Sequence, residues 1–349
     1  MDADQGRGYA SVMRAIVLVG GEATRMRPLS LRTPKQIMPV LHRPLIEHLL
    51  SLLARHGVMD VTLAMMHRNE AIRAGVGDGA RLGLRVDYAY EDEPLGSGGA
   101  IARTAAGWDE PFLVCNGDIV TDLDLTAMVR DHRARGAELS LSLHEVDDPS
   151  GFGAVALGDG ERVTRFVEKP PRAEAPSRLI NAGTWLFEPH LLREMDGTRF
   201  NRVEDTLFPR LAEGARGIFG YRDDGYWIDV GRPEALLRVN LDRVDTATAF
   251  GDGVSVDPTA RIDHPVVIGR DCIVAASAEI ARSLLWDGVH VGRGAIVRDS
   301  VLASRVVIEP GAVVERAVIG HGAVVTAGAH VADVAIEPEV GSPTSAPAR

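Results

Sequence analysis

Arg14-Ala15-Ile16-Val17-Leu18-Val19 runs directly into Gly20-Gly21. A short, continuous apolar run that stops at paired glycines reads as a strand buried on both faces, the form that strands take in parallel sheets. Downstream, Leu45, Leu49, Leu52 and Leu53 recur at helical spacing, which predicts a helix over 45–55. Residues 61–65 form the next apolar run, 99–106 suit a helix, and 112–115 make a third buried strand. A helix over 124–135 and a strand over 139–146 continue the series. Such alternation through about residue 245 predicts an α/β domain with helices on both faces of its sheet. Ligands of open α/β sheets bind beyond the carboxyl ends of the strands. That rule puts Gly20-Gly21 and Asn116-Gly117-Asp118 at the mouth of a site.

From about residue 254 the texture changes. Ile268, Leu285, Leu302, Ile319 and Ile336 follow one another at intervals of 17 residues. Between them, aliphatic residues stand at offsets of six and twelve: Val274 and Ile280, Val291 and Val297, Ile308 and Val314, Val325 and Val331. Ala278, Ala295, Ala312 and Ala329 repeat at the same period. A coil of six, six and five residues cannot bury its inward side chains alone, so coils must stack. The expected architecture is a three-sided parallel β-helix of hexapeptide-like repeats over 254–336. The Pro-, Ser- and Ala-rich stretch 337–349 has the composition of a disordered tail. Residues 1–13 read as a flexible, polar N-terminal tail without the pattern of a secretory signal, and Met13 is a possible alternative start.

Bulk properties narrow the function classes. The 349 residues carry a net charge of −11, which argues against a nonspecific nucleic-acid partner. No apolar run reaches the roughly 18 residues of a membrane helix, so no membrane association is expected. The two cysteines, Cys115 and Cys272, form neither a disulfide framework nor a zinc motif, and a reducing cytoplasm fits them best.

The chemistry concentrates after the first strand, in Gly20-Gly21-Glu22-Ala23-Thr24-Arg25-Met26-Arg27-Pro28-Leu29 and then Pro34-Lys35. Adjacent glycines let a phosphate approach the backbone N–H groups. Arg25 and Lys35 add positive charge. The spacing fits neither a Walker A loop nor a dinucleotide fingerprint. By itself the segment would equally serve as a plain strand-to-helix turn with surface arginines.

The segment resembles the signature loop of the sugar-1-phosphate nucleotidyltransferases, Gly-Gly-x-Gly-Thr-Arg-x-x-Pro-Leu followed by Pro-Lys, with Ala23 in place of the third glycine. Further stretches resemble that family's motifs in family order: Glu93-Pro94-Leu95-Gly96-Ser97-Gly98-Gly99-Ala100, Asn116-Gly117-Asp118, Phe152-Gly153, Phe166-Val167-Glu168-Lys169-Pro170, Asn181-Ala182-Gly183 and Tyr226-Trp227-Ile228-Asp229-Val230-Gly231-Arg232-Pro233. The resemblance spans roughly residues 14–245. The layout with a repetitive tail is similar to bacterial mannose-1-phosphate guanylyltransferases and related glucose-1-phosphate enzymes. It implies a Rossmann-like mixed-sheet catalytic domain followed by a left-handed parallel β-helix. It also implies nucleotide binding by Gly20, Gly21, Gly96 and Asp118. Sugar-phosphate binding falls to Gly153, Glu168, Lys169 and Asn181, with Arg25, Lys35, Asp118 and Lys169 catalytic. Mg2+ would be held by Asp118 and Asp229. The implied substrates are a nucleoside triphosphate and a sugar 1-phosphate, with GTP and a mannose-like phosphate favoured. Thymidylyl, uridylyl or adenylyl transfer to glucose 1-phosphate, or transfer to a cyclitol phosphate, stays open. A noncatalytic regulatory subunit is a rival of another class, prompted by Ala23. Acetyl transfer on the β-helix is disfavoured by the unbroken period, which leaves no protruding loop. Stacked coils have open ends, so a homo-oligomer is expected.

Several of these residues also have plainer readings. Asp118 could cap a helix, Glu168 and Lys169 could be a solvated pair, and Asp229 could be a turn residue. His67, His264, His290, His321 and His330 show no metal-ligand spacing and read as structural.

Overall fold

The computed structural model describes residues 13–21, 23–66, 68–214, 216–244 and 248–337. The tails expected at 1–13 and 337–349 lie outside the described residues except for Met13 and Glu337, as does His67. The chain groups into two compact units, Met1–Gly21 with Ile46–Ile228, and Glu22–Leu45 with Asp229–Arg349. Most of the glycine-loop segment thus belongs with the C-terminal repeats.

The first unit is built on a nine-stranded mixed sheet. Its strands are β1 (Arg14–Val19), β2 (Asp60–Met65), β3 (Arg85–Tyr90), β4 (Phe112–Asn116), β5 (Leu139–Glu145), β6 (Gly153–Leu157), β7 (Val163–Glu168), β8 (Leu179–Phe187) and β9 (Ile218–Arg222). The order is β7-β6-β8-β4-β1-β2-β3, and β5 pairs with both β8 and β9. β1 is parallel to β2 and β4, whereas β8 runs antiparallel to β4, β5 and β6. Strands β1 to β4 build the parallel side, β5 to β8 supply antiparallel pairs, and β9 runs parallel to β5.

Ile16, Phe112, Val114, Leu141, Trp185, Phe187 and Phe208 are completely buried in one core. Phe187 stacks on Phe112 and meets Trp185 edge-on. Fully burying a side chain of this size is worth about 1.5–3 kcal/mol, and these residues clamp β4 to β8. Helix α1 spans Leu45–Arg55, where periodicity placed it. Helix α2 (Gly96–Thr104) begins three residues before the expected 99, so the glycines lie inside it rather than ahead of it. Helix α3 (Leu125–Arg135) is capped by Asp124, whose carboxylate accepts from Ala127 N at 2.9 Å. Helix α4 is Leu207–Glu213 and helix α5 is Pro233–Asp242.

In the second unit three parallel sheets of six, five and five short strands form the coils of a left-handed β-helix. Registers such as Leu285↔Leu302↔Ile319↔Ile336 reproduce the 17-residue period. One coil, begun at Thr248, precedes the 17-residue series that starts at Ile268. Phe250 pairs with Ile268, Val256 with Val274 and Ile262 with Ile280, each 18 residues apart. One extra residue hid that coil from a 17-residue search. Two buried serines serve the corner backbone: Ser283 Oγ accepts from Ser300 N, and Ser300 Oγ accepts from Ala317 N. The columns are further stitched by the ion pairs Arg282–Asp299 and Arg316–Asp333.

Candidate functional site

In the first unit, Gly117 ties the carboxyl end of β4 to that of β1. Its N–H donates to Leu18 O at 3.0 Å, and a Cβ there would come within 2.9 Å of the same oxygen. Gly20 and Asp118 therefore emerge from neighbouring strand ends, as the strand-end rule requires. Gly20 and Gly21 are exposed, Gly21 has φ +91°, and nothing lies within 4 Å of a Cβ built on either. The backbone is thus open to a ligand that must approach closely. Asp118 is half-buried in the turn between β4 and the strand Ile119–Thr121, and no helix begins there.

A second group gathers where the antiparallel strands end. Glu168 closes β7 opposite Gly153 on β6. A Cβ at Gly153 would sit 3.1 Å from Glu168 Oε2 and closer still to the Phe166 ring, so only glycine leaves the carboxylate its place. Lys169 turns out of the strand at φ +44° and is held by its N–H to Phe152 O at 2.9 Å. Its Nζ lies 3.3 Å from Glu168 Oε1. The lysine side chain is 57% exposed and the glutamate 15%, so an exposed cation covers a largely buried anion.

Asn181 occupies a β-bulge. Register along β8 slips between Asn181, opposite Leu143, and Trp185, opposite Leu141. Bulges re-aim side chains beside functional sites. Here Asn181 Oδ1 accepts from Gly183 N at 3.1 Å and Trp185 Nε1 at 2.7 Å, fixing the amide. Gly183, at φ +76°, brings the bulge against β4: a Cβ on it would meet Asn116 Nδ2 at 2.7 Å. Trp227 donates from Nε1 to Ala182 O at 2.9 Å, and Phe152 and His144 pack on its ring. The result is an aromatic wall with a lysine, a carboxylate and an amide, suited to a polyhydroxylated ring bearing an anion.

Sequence reading missed the part played by residues 201–204. Asn201 O accepts from Gly98 N at 3.0 Å, and a Cβ at Gly96 or Gly98 would collide with Asn201. The glycines of α2 thus admit this segment. Ser97 Oγ donates to the Glu204 carboxylate and accepts from Val203 N. Burial raises the Glu204 carboxyl above the usual range, opposed by the Ser97 hydrogen bond. Arg202 Nη2 donates to Glu168 Oε1 at 2.9 Å, a second cation on the same carboxylate. A lone arginine far along the chain gave no periodic or motif signal.

In the second unit, Arg25 and Asp229 converge on Gly231. A Cβ there would lie 3.3 Å from Arg25 Nη2 and 3.1 Å from Asp229 Oδ1, so the glycine leaves room for both. Ala23 adopts φ 49° and ψ 37°, a left-handed conformation at the position where the signature loop usually has glycine. Its carbonyl accepts from Met26 N at 2.9 Å and Ser30 Oγ at 2.8 Å, which folds the loop back on itself. The strain of an L-residue here is about 1 kcal/mol. Lys35 begins a short 3-10 turn and is 9% exposed. Among the described residues no three His, Cys, Asp or Glu side chains form a metal-binding group. Burial pushes the Cys115 thiol up to about 12, so it is a core residue rather than a nucleophile.

A mixed sheet with open glycines at its strand ends, joined to a β-helix, defines a sugar nucleotidyltransferase architecture. Family comparison agrees: residues 14–246 match the nucleotidyl transferase family and 245–342 match the GMPPB C-terminal domain. The chain belongs to the nucleotidyl transferase family and is an enzyme of that class. It is 35% identical, over 81% of its length and 82% of the relative's, to mannose-1-phosphate guanylyltransferase of Mycobacterium tuberculosis. It is 33% identical, over 83% and 86%, to probable mannose-1-phosphate guanylyltransferase 2 of Arabidopsis thaliana. Among solved structures, HddC from Yersinia pseudotuberculosis superimposes with a TM-score of 0.57 at 25% identity, covering 65% of this chain and 98% of that one. HddC has also been solved in complex with GMP-PN, and that structure matches with a TM-score of 0.56 at 26% identity, covering 65% and 98%.

Proposed function

We propose that the protein transfers GMP from GTP to mannose 1-phosphate, giving GDP-mannose and pyrophosphate. The observation that carries this reading is the identity to the mycobacterial guanylyltransferase over four-fifths of the chain. A phosphate oxygen of mannose 1-phosphate attacks the α-phosphorus of GTP, and the bond to the bridging oxygen breaks as pyrophosphate leaves. The nucleophile is already an anion, so no protein base is needed, and the barrier is one of charge and positioning. Residues 14–245 form the catalytic domain. Gly20, Gly21 and Gly96 bind the nucleotide through backbone. Glu168 accepts sugar hydroxyls beside Gly153, Asn181, whose Oδ1 is taken up by Gly183 and Trp185, binds a hydroxyl by donating from Nδ2, and Lys169 seats the sugar phosphate. Arg25 and Lys35 stabilise the charge that develops on pyrophosphate.

Asp118 and Asp229 offer hard oxygen donors of the kind magnesium prefers. Magnesium keeps several waters and binds through one or two carboxylates plus substrate phosphates, so these two carboxylates would be enough protein donors. When bound, magnesium neutralises and orients the α-phosphate. Buried, unbridged Cys115 and Cys272 fit a reducing cytoplasm, and no helix among the described residues is long and apolar enough to cross a membrane. The open ends of the β-helix favour a homo-oligomer; elution at the 37.4 kDa of one chain would overturn that part.

The deciding experiment pairs four nucleoside triphosphates with mannose and glucose 1-phosphates in the presence of magnesium and reads released pyrophosphate and product mass. The strongest turnover is expected for GTP with mannose 1-phosphate. A stronger signal for another pair, or none at all, overturns the assignment.

A further inference from the structure

Two adjacent columns of the β-helix break their own pattern. One holds Gly269, Trp286, Ala303 and Gly320, the next Arg270, Asp287, Ser304 and His321, each series spaced by 17. Trp286 is the only large residue of the first column and is 3% exposed. In the second, Arg270 is exposed and Asp287 and Ser304 are half-buried, but His321 is only 7% exposed. Its ring meets Trp286 edge-on at 5.2 Å.

What covers His321 is the segment following the signature loop. Thr33 Oγ1 and His321 Nε2 hydrogen-bond at 3.0 Å, and the backbone of Leu29 also hydrogen-bonds the ring. Leu29 and Thr33 bracket a short 3-10 turn four residues beyond Arg25 and two before Lys35. His321 is itself rigidly placed. Gly320 N donates to Ile336 O at 2.8 Å in the next coil, and Gly322 N donates to Ser304 O at 3.0 Å in the previous one. Fully buried Asn240 on α5 holds the other end of the same segment, accepting from Leu41 N at 2.9 Å and donating to Pro39 O at 3.2 Å.

We propose that His321 is a positioning residue: the β-helix, through the His321–Thr33 contact over Trp286, sets the conformation of the 25–35 segment and hence the placement of Arg25 and Lys35. The roles of Arg25 and Lys35 rest on the function proposed above, whereas the mechanical coupling does not. The repeat domain is then part of the nucleotide-handling apparatus, and its pattern breaks record where the loop docks.

The test uses full-length protein with His321→Phe, which keeps a ring over Trp286 but no hydrogen bond, with Thr33→Val, and with His321→Gln as the conservative replacement. Amide hydrogen exchange of residues 26–38 reads the coupling without any substrate. Loss of one hydrogen bond should accelerate it about five- to tenfold in His321→Phe and Thr33→Val, with exchange in the coils around 273–308 unchanged. Kinetically, the KM for GTP should rise about tenfold while that for mannose 1-phosphate stays within about twofold, and His321→Gln should recover most of the loss, consistent with one hydrogen bond. The double variant should be no worse than either single one. Unchanged exchange at 26–38 would overturn the proposal. So would equal loss for both substrates in step with a fallen melting temperature. Absence of turnover in the wild type would sink the assigned function and leave the exchange result to decide the coupling.

Discussion

The β-helix and the nine-stranded sheet satisfy their backbones in opposite ways. In the β-helix each strand meets an equivalent neighbour one period away, and from Leu285 to Ile336 the register never slips. In the sheet, regular pairing is confined to the interior. Gly117, the bulge at 181–185, the left-handed Lys169 and the Gly153–Glu168 pair all lie where pairing stops or slips. Regular repetition pairs backbone groups from coil to coil. Interrupted pairing exposes N–H groups, turns carboxylates and amides outward and makes room for ligands. Two residues that depart from the column pattern, Trp286 and His321, pack on each other, and His321 also hydrogen-bonds Thr33 of the segment that follows the signature loop.

That contrast can be broken by substitution. The largest effect is expected at an interruption. Asp118→Asn should lower turnover by about a hundredfold to a thousandfold, roughly 2.7–4 kcal/mol of barrier, with the melting temperature within a degree or two of wild type. An equal fall in both would mean that Asp118 is structural. Next comes the irregular position of the β-helix. Burial, aided by Arg32 and Arg305, pushes the His321 imidazole down to about 4 from 6.5. The unfolded chain therefore takes up the proton first, and stability contributed by the neutral ring is lost as pH falls from 6.5 towards 4. The loss should approach about 3 kcal/mol in urea unfolding at a series of pH values. The part due to this ring is the difference between wild type and His321→Gln, and parallel curves would remove it.

At a regular β-helix position the response should be smaller and purely one of stability. Ile308 is fully buried, and Ile308→Val should cost about 0.5–1.5 kcal/mol with unchanged KM for both substrates. A kinetic effect there would blur the distinction between the two regions. The smallest change is expected at Ala23. Ala23→Gly relieves about 1 kcal/mol of left-handed strain but gives back part of it through the flexibility of glycine in the unfolded chain. A melting temperature raised by a degree or two would fit, and a fall would show that the loop tolerates alanine without strain.

Legibility in the sequence followed the same divide. The 17-residue period placed the coils from 268 onward because identical environments demand similar residues. The count itself did not extend to the coil at 248–263, most of which the change of texture at 254 had marked, because one inserted residue breaks the period. The parallel strands and α1 were readable from apolar runs and helical spacing. Asn181, Glu168 and Lys169 could be named only through motif resemblance. Nothing in local pattern says that β8 will bulge or that β6 carries a glycine opposite a carboxylate. Arg202 and Asn201 were invisible for a related reason. Their partners Glu168 and Gly98 are 34 and 103 residues distant, and a single long-range pair leaves no periodic trace.

The fixed rise of the β-helix also makes it a ruler. Adjacent coils stand about 4.8 Å apart, so the number of coils laid down before His321 sets how far along the stack the Thr33 anchor falls. Insertion or loss of one 17-residue coil would leave every sheet contact of the stack intact, and would still carry the histidine past its threonine by more than a hydrogen bond can span. Repeat domains are commonly free to change length in evolution. In this chain the coil count upstream of His321 is expected to be held by the reach of one side chain, while coils beyond it are free to vary.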